Sequence, residues 1–247
     1  GHRSLTRAQI TQINRAFRLR AQAVQSVDDM IGRIEVALAA NGLTDDTYLV
    51  FSSDNGLHTG EYRLTPGKMT AFDTDIHVPL VVVGPGVPAG QSSDAMVENI
   101  DLAKTFAAIG GTDLPSDGHS LLPLLDGQQP ADWRNAILVE HHGPDLRAAD
   151  PDFQQSSSGN PTTYEAMRTR EELYVEYSDG EREFYNLKTD PYELHNLAGS
   201  LTSSQLALLH SDLLAIEHCH NGSACWAAMR VQGESVVPGA DRRSRRR

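Results

Sequence analysis

A chain of 247 residues with 39% hydrophobic and 22% charged side chains has ordinary globular composition and enough length for one sizeable core or two modest ones. No apolar run approaches the roughly 20 residues of a membrane-spanning helix. The formal charge of -12 argues against nucleic acid as a partner, because phosphate backbones are bound by basic surfaces.

Residues 8–40 read as a helix, with Val24, Val27, Ile31, Ile34 and Leu38 recurring at spacings of three and four on one face and Asn41-Gly42 as its stop. The β-rich run 47–53 reads as a buried strand whose carboxyl end delivers Asp54 and Asn55 into a crevice, where open α/β sheets carry their ligand sites. A second buried strand spans 78–83 and is closed by Gly84-Pro85-Gly86. Asp101 is placed to cap a helix over 102–109. This alternation predicts a layered α/β core.

Past Asp126-Gly127 the pattern changes to short strands at 135–141, 163–169, 172–177 and 182–187, with Ser178-Asp179-Gly180 as a hairpin turn. An amphipathic helix over 203–217 is expected across one face of this antiparallel sheet. The loop 143–161, rich in Pro, Asp, Ser and Gly, reads as a mobile element that helps shape substrate entry. His141 and His142, just before it, read as structural. The segment 188–197 reads as packing, with Asp190-Pro191 setting a turn and Tyr192 and Leu194 as anchors. The predicted division is therefore 1–127, 128–217 and a tail 218–247, whose basic end, 242–247, reads as disordered.

Cys219 and Cys225 flank a polar, flexible stretch that can close as a small disulfide ring, which would fit a secreted or periplasmic protein. Free thiols and a metal cluster with His218 and His220 stay open as alternatives. Asn221-Gly222-Ser223 also fits a short glycosylation acceptor pattern.

The stretch Ser53-Asp54-Asn55-Gly56-Leu57-His58-Thr59-Gly60, with Gly67-Lys68 downstream, places hard oxygen donors and one fixed positive charge on a glycine-rich turn after a strand. Carboxylate and amide oxygens suit a hard divalent cation, calcium first and magnesium as the alternative, although calcium needs roughly six to eight oxygens. Remaining ligands must come from elsewhere. His58 joins Lys68 as a catalytic candidate that can donate to substrate, relay a proton or simply pin the turn, and a supporting role behind the metal ligands is the favoured one. Thr59, Glu61 and Arg63 are assigned no chemistry, and Asp73, Asp75 and His77 are assigned structural use.

The order and spacing of Tyr48 to Glu61, Gly67-Lys68, Val78-Pro79-Leu80-Val81-Val82-Val83-Gly84-Pro85-Gly86, Asn99-Ile100-Asp101-Leu102 and Asp117-Gly118-His119-Ser120-Leu121 resemble the type I sulfatases of the alkaline phosphatase superfamily. Within them, the chain is most similar to the glucosamine-6-sulfatase and arylsulfatase branches. The resemblance implies the carboxyl-terminal part of an alkaline-phosphatase-like mixed sheet sandwiched by helices over 1–127. It also implies a small antiparallel subdomain with a packed helix over 128–217. Asp54 and Asn55 match two metal ligands of the family, and Lys68 matches the lysine that contacts the sulfate group. In a complete enzyme, an aldehyde hydrate attacks sulfur, the alcohol departs and inorganic sulfate is released later.

That aldehyde, formylglycine, is made from a Cys/Ser-x-Pro-x-Arg motif that no segment here contains, and the family's early paired aspartates are also lacking. The chain opens on Gly1, and its first matching motif belongs to mid-domain, so the reading is a carboxyl-terminal fragment whose partner is the missing amino-terminal half. A sulfated small molecule or carbohydrate is the expected substrate of the whole, with no turnover from the fragment alone. The alternatives are a phosphodiesterase or phosphonate monoester hydrolase of the same superfamily, and a non-catalytic remnant or binding module.

Overall fold

The computed structural model describes residues 4–144, 146–150 and 153–231. In chain order the helices are α1 (Arg7–Ala40), α2 (Asp73–Ile76), α3 (Asn99–Ile109), α4 (Leu122–Leu125), α5 (Ser203–Glu217) and α6 (Gly222–Ala228). The strands are β1 (Leu49–Ser52), β2 (Leu80–Val83), β3 (Ala136–His141), β4 (Tyr164–Thr169), β5 (Glu172–Tyr177) and β6 (Arg182–Asn186). Contacts gather the chain into two units. The first holds Gly1–Gln91, Leu125–Gly127 and Asp145–Asn160, and the second holds Ser92–Leu124, Gln128–Pro144 and Pro161–Arg247. The segment carrying α3 belongs to the second unit.

In the first unit, α1 begins at a capping box in which Thr6 Oγ1 accepts the Gln9 amide at 3.3 Å and Gln9 Oε1 accepts the Thr6 amide at 2.8 Å. The helix forms where the apolar spacing predicts it, yet none of its 34 residues is buried. β1 pairs antiparallel with β2 in the register Leu49 with Val83 and Phe51 with Val81. The sequence predicts a fully buried strand at 78–83. The observed β2 starts two residues later, after Pro79, and alternates half-buried with exposed residues, Val81 and Val83 being 55% and 59% exposed. Both lie on one face of a two-stranded sheet, and that face is open.

In the second unit, β3 to β6 form an antiparallel meander in chain order. Tyr177 and Glu181 close the β5–β6 turn, where the Tyr177 amide donates to Glu181 O at 3.0 Å. Ala136, Met167, Tyr174 and Phe184 from this sheet make one core with Leu209, Leu213 and Ile216 of α5. Burying such side chains contributes roughly 1.5–3 kcal/mol each. Cys225 and Met229 join the same core.

Three local expectations are corrected. Helix α3 starts at Asn99 with Glu98 as its cap residue, and Asp101, at the third helical position, completes the capping box by accepting the Glu98 amide at 2.8 Å. Tyr192 and Leu194 do not anchor the 188–197 segment, being 74% and 61% exposed. Its anchors are Leu197, packed against the core, and polar groups. Asn196 Oδ1 accepts the Phe184 amide at 3.1 Å, its amide nitrogen donates to Arg182 O at 3.0 Å, and the Glu193 side chain is buried. The stretch between the two cysteines is also more than a flexible loop, because Asn221 Oδ1 accepts the Ala224 amide at 3.1 Å and opens α6 inside the ring. Cys219 and Cys225 are disulfide-bonded. The basic end 242–247 lies outside the described residues.

Candidate functional site

The end of β1 delivers Ser53, Asp54 and Asn55 in succession. Asp54 Oδ1 accepts the Asn55 amide at 3.0 Å, and Ser53 Oγ donates to Asn55 O at 2.8 Å, which folds the two candidate metal ligands into one tight turn. The following residues are stitched to the α2 region, as the Gly56 amide donates to Asp75 O and the Leu57 amide to Thr74 O, both at 2.7 Å. Glycine is required at position 56, where a Cβ would sit 2.1 Å from Thr74 O.

The chain then loops through a left-handed corner at Tyr62 and Arg63, with φ of 56° and 63°, buttressed by Tyr62 stacked on Phe72 at 3.9 Å. It returns at an isolated antiparallel bridge, in which the His58 amide donates to Gly67 O at 3.0 Å and the Gly67 amide to His58 O at 3.1 Å. Lys68 follows immediately. Its Nζ donates to Asn55 Oδ1 at 3.3 Å, so the structure brings Asn55 and Lys68 together across 13 positions, beside Asp54.

His58 pairs across the bridge with Gly67, the residue before Lys68. Its ring is fully buried, with Nδ1 2.8 Å from Asp75 Oδ1 and 2.9 Å from Oδ2, and Nε2 3.0 Å from Ser158 O. Asp75 is buried too and also accepts the Thr70 amide at 2.9 Å and the Thr70 hydroxyl at 2.6 Å. Of the three roles open to His58, this geometry fits pinning the turn, and Asp75 has the structural use expected of it. His141 Nε2 is buried with no hydrogen-bond partner among the described residues, and burial lowers the pKa of this imidazole.

Sequence reasoning missed the segment 153–160. The Thr65 amide donates to Ser157 O at 2.8 Å, Thr65 Oγ1 lies 2.7 Å from Ser158 Oγ, and Gln154 Oε1 accepts the Lys68 amide at 3.1 Å. The part of the loop predicted to be mobile is therefore tied to the lysine turn. A polar serine run gives no local sign of its partner, and Gly159 at φ 67° is the one feature that marks a fixed conformation.

The hard oxygens of Asp54 and Asn55 are of the type that a calcium or magnesium ion takes, and two side chains are fewer than the shell of such an ion needs. Among the described residues no group of three or more His, Cys, Asp or Glu side chains converges on one point. No helix of the described residues is long and apolar enough to cross a membrane.

Residues 4–112 match the sulfatase family model, and residues 60–218 match the model of the carboxyl-terminal region of N-sulphoglucosamine sulphohydrolase. The N-acetylglucosamine-6-sulfatase of Capra hircus is 36% identical over 243 residues, covering 90% of this chain and 43% of that protein. This chain thus spans less than half the length of that relative. Among solved structures, BT4656 in complex with its substrate D-glucosamine-2-N,6-O-disulfate superposes with a TM-score of 0.65 at 26% identity, over 83% of this chain and 39% of that one. The phosphonate monoester hydrolase of Agrobacterium radiobacter gives 0.62 at 29% identity, over 76% of this chain and 38% of that one. The matched models span both the strand–turn–lysine segment and the antiparallel sheet, and the chain belongs to the sulfatase family, with its alkaline-phosphatase-like fold.

Proposed function

We propose that this chain is the carboxyl-terminal part of a sulfuric ester hydrolase acting on a sulfated carbohydrate of the glucosamine class, with half of the catalytic site on its own residues. The observation that carries this reading is Lys68 Nζ at 3.3 Å from Asn55 Oδ1, beside Asp54. Asp54 and Asn55 hold a divalent cation, calcium in preference to magnesium. The cation, when bound, polarises a sulfate oxygen as a Lewis acid. Lys68, a compact ammonium on a flexible stem, meets an oxyanion of several equivalent oxygens and offsets the charge that develops as the S–O bond lengthens. The nucleophile, a formylglycine, and the remaining metal ligands belong to an upstream part of the protein. The Cys219–Cys225 bridge supports a secreted or periplasmic setting, where disulfides persist.

The test compares sulfate release from glucosamine-6-sulfate by the complete enzyme and by its Lys68→Ala variant. A fall on the order of 10²-fold or more is expected, the usual cost of removing one electrostatic stabiliser of a transition state. The chain alone should release no sulfate. Retention of most of the rate without Lys68 would remove the lysine from the site.

The structural likeness to a phosphonate monoester hydrolase favours a second reading, the same site turned on a phosphonate monoester. Side-by-side rates of the complete enzyme on the two ester classes separate them. A preference for the phosphonate would overturn the sulfatase reading.

A further inference from the structure

We infer that residues 154–158 are a positioning strap for Lys68, latched by His58; this deepens the sulfate-site reading above and rests on it. Three independent contacts converge on the backbone just before the lysine side chain. Gln154 Oε1 accepts the Lys68 amide at 3.1 Å, the His58–Gly67 bridge fixes the preceding residue, and Ser157 O accepts the amide of Thr65 at 2.8 Å. The packing leaves no slack. A Cβ on Gly67 would lie 2.3 Å from Ser158 O, 2.4 Å from Gln154 Oε1 and 2.7 Å from His58 Nε2, so strap, latch and lysine turn touch at one glycine. The strap is closed on itself by Asn160, whose amide nitrogen donates to Gln154 O at 2.9 Å.

Hydrogen-bond accounting defines the latch. Asp75 accepts from Thr70 twice and lies 2.8 Å from His58 Nδ1, while His58 Nε2 lies 3.0 Å from Ser158 O. Both ring nitrogens are thus engaged, and His58 joins Asp75 to the strap. Gln154 and His58 are positioning residues, acting on substrate through Lys68 alone.

The experiment uses the whole chain, labelled with nitrogen-15. It records amide exchange at Lys68, the Asn55 side-chain amide signal and the shifts on titration with sodium sulfate in the presence of calcium. Gln154→Ala should raise Lys68 amide exchange on the order of tenfold, the loss of one hydrogen bond, and move the Asn55 signal. Tyr174 in β5 should keep its protection, which certifies the fold. Gln154→Glu keeps an acceptor and should restore the slow exchange. It also adds a negative charge beside the lysine and should weaken sulfate-induced shifts, a split that a merely structural role would not produce. Unchanged exchange at Lys68 in Gln154→Ala, with Tyr174 native, would overturn the strap. The underlying reading has its own arm: Lys68→Ala should abolish the sulfate-induced shifts, and their persistence would sink the sulfate site whatever the exchange data say.

Discussion

Arg134 carries its charge into the interior of the second unit, where it is 2% exposed and lies 4.8 Å over the ring of Trp226. Its two terminal nitrogens meet Glu98 and the fully buried Asp101, the residues that cap α3. Burial works against both members of the inner pair, pushing the Asp101 carboxyl up to about 7 and the Arg134 guanidinium down to about 10. The His119 amide, which donates to Asp101 Oδ1 at 2.8 Å, opposes the first of these shifts. Removing one partner strands the other, so Arg134→Met should cost about 3–5 kcal/mol in urea denaturation. The double variant Arg134→Met with Asp101→Asn should recover part of that loss, because of the two carboxylates left bare it removes the fully buried one. Next to this pair, His119 stacks on Trp226 at 3.5 Å, and its Nδ1 is buried without a hydrogen-bond partner among the described residues. Burial lowers the pKa of this imidazole from 6.5. The unfolded chain then takes up a proton that the folded one refuses, so this group's contribution to stability is full above pH 6.5 and falls as the pH drops below it, against the opposite contribution of Asp101. His119→Phe keeps the stack and should flatten the stability profile between pH 6.5 and the lower folded value. An unchanged slope would assign the decline to other groups.

At the scale of elements, α1 and β5 are opposites. Helix α1 satisfies its own backbone and starts at a capping box, but Phe17, Val24 and Val36 are 60%, 61% and 71% exposed. Most helical stability in proteins comes from packing an apolar face. β5 is central in its meander, with Leu173, Tyr174 and Val175 at 0% exposure. Hydrogen-exchange mass spectrometry should find α1 amides exchanging on the order of 10²-fold or more faster than those of β5. Equal protection would mean that a packed face holds the helix in solution. The same contrast explains what was legible in the sequence. The strands β3 to β6 were readable to within a residue, because alternation and turn residues such as Ser178-Asp179-Gly180 are local signals. The helix α1 was readable from its spacing, but its exposure was not, since periodicity reports which face is apolar and not whether anything covers it. The left-handed corner at Tyr62 and Arg63 was illegible for the opposite reason, because neither residue type announces a positive φ.

For the whole molecule, legibility fell with sequence separation. Asp54 and Asn55 stood out as neighbours at a strand end, and Lys68 lies only 13 positions beyond them on the same glycine-rich stretch. The His58–Ser158 contact spans 100 positions and left no trace in the pattern. Likewise the two units interleave along the chain, an arrangement that no local pattern reports. The disulfide follows the same rule, as its two cysteines are six residues apart and the sequence already offered their pairing beside free thiols and a metal cluster. Its energetic reach is larger than its span suggests. Cys225 lies in the core of the second unit beside Leu209, Leu213 and Met229, and Cys219 packs against that core. Closing so short a loop constrains the unfolded chain by about 2 kcal/mol on the chain-entropy model. Reduction should therefore lower the urea stability of the second unit by about that amount and speed exchange at Tyr174. Lys68 and its turn belong to the first unit and should keep their exchange rates. A uniform loss across both sets of amides would mean that the two units unfold as one cooperative body, and no loss at all would mean that α6 and the core hold the bridge in place without needing it.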